Sequence, residues 1–210
     1  KEWEVLRERV GHKVRHLLPE VSNDEAPEIS ENGYLVGANA LDIDFLNNPT
    51  IKQYIDNEKC TIILFENPPY AQGSSITNQM EKIGKDACEW KNSYIVQQMK
   101  REVSGTPTNE MCNAFIWSAF KYYLRQPTDS YIVFAPPKYW KYHNLVNKKM
   151  IRGFGFNRQF FHATASLISC IAWSNIDDTR TEKLLLETFN IKDENNGGGV
   201  EKLGEVYLRK

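Results

Sequence analysis

Apolar positions recur near every 3.6 residues at the start of the chain: Trp3, Val5, Leu6, Val10, Val14, Leu17 and Leu18. That spacing predicts an amphipathic helix, ended by Pro19, and the polar run VSNDEAPEISENG (21–33) reads as a connector. YLVGANALDIDFL (34–46) holds two short apolar stretches around Gly37, and PTIKQYIDNE (49–58) predicts a short helix. Thr61–Phe65 is apolar on both faces, the pattern of a central strand in a covered parallel sheet. The polar, Gly- and Ser-containing stretch 71–105 is too long for an ordinary strand-to-helix connection and predicts a functional loop or insertion. A helix is then expected from TPTNE (106–110), capped by Thr106 or Thr108, with Met111, Phe115, Ala119 and Tyr122 as its buried stripe.

SYIVF (130–134) predicts a second strand, ended by Ala135-Pro136-Pro137. KYWKYHNLVNKKM (138–150) reads as a basic helix and ASLISCIAW (165–173) as a third strand. TEKLLLETF (181–189) reads as a helix, DENNGGG (193–199) as a flexible linker, and EVYLRK (205–210) as a short terminal strand. Strands alternating with helices argue for an α/β sheet with helices on both faces.

Composition narrows the class only a little. The 210 residues fit one medium domain or a large part of one. At 41% hydrophobic and 25% charged, the chain is ordinary for a globular protein. No apolar run approaches the ~18 residues that cross a bilayer, so no membrane partner is expected. Cys60, Cys88, Cys112 and Cys170 form no C-x-x-C pair and sit in or beside apolar stretches. They read as reduced thiols of a cytoplasmic protein, and no metal site is expected. His12 and His16 have metal-pair spacing, but no third ligand accompanies them and they read as solvated.

Charge changes the picture more. The net charge is −1, yet no acidic residue falls between Asp129 and Asp177, where Lys138, Lys141, Lys148, Lys149, Arg152 and Arg158 all lie. Such segregation can give a neutral protein one positive face suited to a phosphate backbone. A lysine-rich solvated loop would read the same way.

The sharpest chemistry follows the first strand, in TIILFENPPY (61–70). Two prolines restrict φ and also the residue before each of them, which holds Asn67 extended. Neither proline has an N–H, so the turn presents acceptors without competing donors. The Asn67 side-chain oxygen and a neighbouring carbonyl then make two fixed acceptors, complementary to an NH₂ group. An exocyclic aromatic amine is a poor nucleophile because its lone pair is delocalised. Acceptors out of its plane favour a pyramidal nitrogen and stabilise the charge that develops there. Tyr70 offers a flat face for the ring, a contact worth about 1–3 kcal/mol. Read alone, Asn and Pro would also make a plain strand-ending turn.

ENPPY after a hydrophobic strand resembles the catalytic motif of S-adenosylmethionine-dependent amino-methyltransferases, above all the DNA adenine-N6 enzymes of restriction–modification systems. GANALDIDF (37–45) resembles the family's segment with an acid before an aromatic at the end of an earlier strand. The resemblance implies that Asp44 meets the cofactor's adenine amine and Phe45 packs on its ring. NEMCNAFIWSAFKYYL followed by SYIVFAPPKYW is similar to the family's helix and fifth strand. FNRQFFHATASLISCIAW resembles the segment in which an aromatic flanks a flipped base, which nominates Phe160 or Phe161. Either phenylalanine could instead be core, and Asp44 could be a helix cap or surface acid.

The resemblance covers roughly residues 33–175. It implies a mostly parallel, Rossmann-like methyltransferase sheet, incomplete at the N-terminus because no glycine-rich cofactor turn precedes Asp44. The expected organisation is a helix and connector (1–32), a partial catalytic domain (33–176) with an insertion (71–106), and a C-terminal extension (177–210). The implied catalytic residues are Asn67, Pro68, Pro69 and Tyr70, the cofactor S-adenosylmethionine, and the partner double-stranded DNA. The six cations would contact phosphates around a flipped adenine, and a restriction or specificity module could share the chain or complex. NPPY also serves enzymes acting on guanine N2 in RNA and on protein glutamine amides. A non-catalytic methyltransferase-like shell, binding nucleic acid or a partner, is the reading from another class.

Overall fold

The computed structural model describes residues 39–69, 90–138, 147–161, 165–179, 183–192 and 198–209. It is an α/β arrangement built on one six-stranded sheet. The strands are β1 (Ile63–Glu66), β2 (Ser130–Ala135), β3 (Lys148–Asn157), β4 (Leu167–Asp177), β5 (Lys183–Ile191) and β6 (Val200–Arg209). Their order across the sheet is β1-β2-β4-β3-β5-β6. The helices are α1 (Ile43–Leu46), α2 (Pro49–Ile55), α3 (Tyr94–Glu102) and α4 (Met111–Ser118), the last continuing into a π-turn, Ala119–Tyr123.

The sheet is mixed rather than mostly parallel, which corrects the expectation. β1 pairs parallel with β2 and β3 with β5, while β2–β4, β3–β4 and β5–β6 are antiparallel. β1, β2, β3 and β5 still run in one direction, because β4 is antiparallel to both β2 and β3. The cause is the short connection from β3 to β4, a 3-10 turn (Arg158–Phe161) closed by the Arg158 N–H donating to Ser166 O at 3.0 Å. Such a short link can only fold a strand back against its neighbour.

Four local expectations change as well. Residues 148–150, read as the end of a basic helix, begin β3, and Gly153 and Gly155 lie inside that strand. Residues 183–189, read as helix, belong to β5. Within the polar stretch after Tyr70, residues 94–102 form α3, whose Ile95, Val96 and Met99 are buried. The helix expected from residue 106 is a 3-10 turn (Thr106–Asn109) followed by α4, with Glu110 at the N-cap rather than Thr106 or Thr108. Its buried positions are Cys112, Asn113, Ala114, Ile116, Trp117 and Ser118, so α4 is buried on most of its circumference.

One face of the sheet carries the core. Tyr131, Val133, Ile171, Trp173, Leu184 and Leu186 pack there with Ile95, Val96 and Met99 of α3 and with Cys112, Ile116 and Ala119. Side chains of the flanking strands β4 and β5 fill the space where β3 has none. A Cβ on Gly153 would lie 2.9 Å from both Ile171 Cγ1 and Leu186 Cδ2, and one on Gly155 would lie 2.7 Å from Leu167 Cδ1. The opposite face is aromatic and comparatively open: Phe65 is 63% exposed, Ile63 65% and Phe154 41%. Edge contacts join Phe65 to Phe134 at 5.7 Å, Phe134 to Phe156 at 6.1 Å and Phe154 to Phe189 at 6.2 Å. β1 was expected to be central, but among the described residues it pairs on one side only, with β2. Among the described residues no helix is long and apolar enough to cross a membrane.

Candidate active site

The strand directions decide which candidate residues meet. The carboxyl ends of β1, β2 and β3 lie on one edge of the sheet, the place where open α/β sheets hold ligands. Asn67, Pro68 and Pro69 follow β1 on that edge, Pro136, Pro137 and Lys138 follow β2, and Arg158 opens the turn after β3. Pro68 is buried while Asn67 and Pro69 are exposed, so the turn is anchored by its first proline and presents the amide outward. The backbone of Phe160 and Phe161 lies in the same 3-10 turn as Arg158. Ser169 Oγ donates to the Ala135 carbonyl at 2.7 Å and ties the end of β2 to the start of β4.

The remaining candidates divide. Lys148 and Lys149 begin β3, so they lie about 30 Å from Arg158, at ~3.3 Å per residue, on the opposite edge. Lys148 also pairs with Asp177 at 2.7 Å. Lys138 pairs with Glu110 at 2.8 Å. Arg152 belongs to the open face, where it lines a cleft of about 410 Å³ with Ile132, Phe154, Cys170, Glu187 and Phe189. The six cations are therefore distributed over two edges and a face. Tyr70, Lys141, His12, His16 and Cys88 lie outside the described residues.

Asp44 and Phe45 sit in α1, whose N-cap is Asp42 rather than Asp44. Asn39 shapes the entry: its side-chain amide donates to Asp42 Oδ2 at 2.7 Å and its oxygen accepts the Leu41 N–H at 3.1 Å. Leu41 is buried, and its carbonyl accepts the Ile95 N–H at 3.0 Å, which fastens this segment to the start of α3. Asp44 is exposed. The half-buried Phe45 ring lies 6.4 Å from that of Tyr123, at the end of the π-turn.

Tyr123 leads to a group that the sequence reading passed over. Glu66, the last residue of β1, adjoins Asn67 and turns its side chain to the core face with Leu64. The Tyr131 hydroxyl donates to Glu66 Oε2 at 2.6 Å. Burial pushes the Glu66 pKa up to about 7, against the pull of that hydrogen bond. Burial also pushes the Tyr123 hydroxyl up, with the negative charge of Glu66 adding to the effect. The Cys112 thiol is raised by burial and by Glu66 and Glu110, which makes it inert rather than nucleophilic. The visible signal for this cluster was a lone acid ending an otherwise apolar strand, TIILFE.

Chemically, the edge offers an outward amide acceptor on a rigid turn, an acid behind it, and two cations, Lys138 after β2 and Arg158 after β3, with β4 between those strands. An acid–aromatic pair, Asp44 and Phe45, is linked to the same region through Tyr123. Among the described residues no group of three His, Cys, Asp or Glu could hold a metal ion. No protein-family model matches the chain, and neither does the sequence of any curated protein. Among solved structures, the chain is similar to a type IIL restriction–modification enzyme, MmeI, in complex with DNA, at a TM-score of 0.40 and 14% identity. The match covers 80% of this chain and 21% of that one, so the chain spans about a fifth of the enzyme's length.

Proposed function

We propose that this chain carries the acceptor half of an S-adenosylmethionine-dependent methyltransferase active site that methylates the N6 amine of a flipped adenine in duplex DNA. The observation that carries the reading is the position of Asn67-Pro68-Pro69. A rigid, acceptor-rich turn stands at the carboxyl end of a strand whose parallel companions β2 and β3 end on the same edge. Asn67 and a carbonyl of the turn accept the two N–H groups of the target amine, and Tyr70 underlies its ring. Lys138 and Arg158 would meet phosphates, and Phe160 or Phe161 would flank the extruded base. Lys148 and Lys149, on the far edge, would meet a different stretch of the duplex.

Asp44, which is exposed, and Phe45, half-buried beside it, would hold the adenosine end of the cofactor. When bound, the cofactor supplies an electrophilic methyl group. No glycine-rich turn for its methionine end occurs before Asp44 in the sequence. Such a turn would have to come from another part of the protein, and among the described residues β1 pairs on one side only, which leaves its other edge for further strands of a larger sheet.

The test is transfer of radiolabelled methyl from S-adenosylmethionine to adenine-containing duplex DNA, by the chain extended through the coding sequence before Lys1. Asn67→Ala is expected to lower transfer at least about 100-fold, with an unchanged circular-dichroism spectrum. Full transfer by Asn67→Ala would overturn the reading. A spectrum and DNA affinity unaltered in a chain that transfers nothing, extended or not, would favour the non-catalytic shell.

A further inference from the structure

We propose that Glu66 is a positioning residue of the acceptor turn, whose carboxylate, held by Tyr131 behind Asn67, places a negative charge beneath the amine as it becomes cationic. The inference rests on the reading above, that Asn67 accepts from an exocyclic amine. It concerns a residue outside the four of the NPPY turn.

The geometry is specific. Glu66 is bonded to Asn67, so its side chain is within one residue of the acceptor amide and on the core side of the strand. Its partner is immobile: Tyr131 is fully buried, and its ring meets Phe120 edge-on at 5.5 Å. The Tyr131 hydroxyl reaches Glu66 Oε2 at 2.6 Å, the short distance of a charge-assisted bond. The titratable groups around Glu66 are Tyr131 on β2, Tyr123 on the π-turn, Cys112 at the start of α4, and Glu110 and Lys138 flanking it. Lys138 is engaged by Glu110 at 2.8 Å. Among the described residues no cation pairs with Glu66, whose hydrogen-bond partner is the neutral Tyr131 hydroxyl.

An unpaired acid in this position costs stability. Glutamine would keep the hydrogen bond from Tyr131 at no such cost, so the charge itself needs a reason. Methyl transfer provides one. The new N–C bond forms while the methyl–sulfur bond breaks, its electron pair staying on sulfur, and the nitrogen carries positive charge until it releases a proton to water. A fixed carboxylate behind the accepting amide stabilises that charge without reorganising. Glu66 acts through the turn and does not receive the proton. Its raised pKa, about 7, gives this role a pH signature near neutrality.

Two measurements on the extended chain test the proposal. Carboxyl-carbon NMR should show Glu66 titrating near neutrality, and at higher pH in Tyr131→Phe, because the lost hydrogen bond had favoured the ionised form. In single-turnover methyl transfer, the wild-type rate should rise through that same pH. Glu66→Gln should run roughly tenfold slower above it with no such limb, and Tyr131→Phe should move the limb upward with the NMR titration. The substrate KM should stay unchanged in both. A Glu66→Gln profile identical to wild type, in a protein whose Asn67→Ala is inactive, would overturn the proposal and leave the reading of the turn standing. Retained activity in Asn67→Ala, or no transfer by any variant, would overturn both.

Discussion

Asn67 and Glu66 are neighbours in sequence with opposite surroundings: Asn67 is exposed, as the acceptor role proposed for it requires, while Glu66 is held against the core by a buried phenol. The demand on Glu66 appears in stability. Its pKa is raised from the unfolded value, so below about pH 4.5 it is protonated in both states and costs nothing. Between that value and about 7 the unfolded chain ionises while the folded one resists, and stability falls as pH rises. Urea unfolding of Glu66→Gln should therefore match wild type at pH 4 and exceed it at pH 8. Asp129 has the opposite sign. Burial works against its charge, but the backbone N–H groups of Gln126, Ile62 and Arg125, with the Arg125 guanidinium, outweigh it and hold its pKa low. Its Oδ1 accepts from Ile62 at 2.9 Å and its Oδ2 from Arg125 at 2.7 Å and Gln126 at 2.8 Å, tying the entry of β2 to the start of β1. That stability is present above the unfolded pKa and lost as pH falls through the folded one. Asp129→Ala should cost about 2–3 kcal/mol at pH 7 in the same assay.

At the scale of elements, what the sequence made legible followed from periodicity and from proline. Strands β1, β2 and β4 stood out as short apolar runs ended by Asn-Pro-Pro, by Pro-Pro or by polar residues, and α2 by its spacing. β3 and β5 were missed for a shared reason. KLLLETF is made of good helix formers, but Leu184 and Leu186 are buried between β3 and β6 while Leu185 is exposed, a two-residue period set by tertiary pairing. In β3, Gly153 and Gly155 fall where a core residue would announce itself, because Ile171, Leu186 and Leu167 occupy that space. Gly153→Ala should therefore destabilise the fold by about 1–3 kcal/mol, visible as a lower urea midpoint with an unchanged slope. On the open face of the same strand, Phe154→Ser should cost less than Phe156→Ser, since Phe154 is 41% exposed and Phe156 8%.

At the scale of the molecule, the sheet is two-faced. Trp173, Tyr131 and Ile171 are fully buried under α3 and α4, while an aromatic row from Phe65 to Phe189 lies on the other side. Trp173→Ala should cost about 3–5 kcal/mol. The turn at residues 67–69 was readable because prolines and an amide announce their chemistry locally. Glu66 with Tyr131 was not, because that contact spans 65 positions and depends on the parallel pairing of β1 and β2. The reversed direction of β4 was equally hidden, since it hangs on the connection that starts with the turn at 158–161 rather than on any strand. The most direct measurement of the central claim is nucleoside analysis by mass spectrometry, after duplex DNA and S-adenosylmethionine have been incubated with the extended chain. The account predicts N6-methyladenosine, as the deoxynucleoside, from wild type and none from Asn67→Ala. Methylation at another atom, or equal N6-methyladenine from the variant, would contradict it.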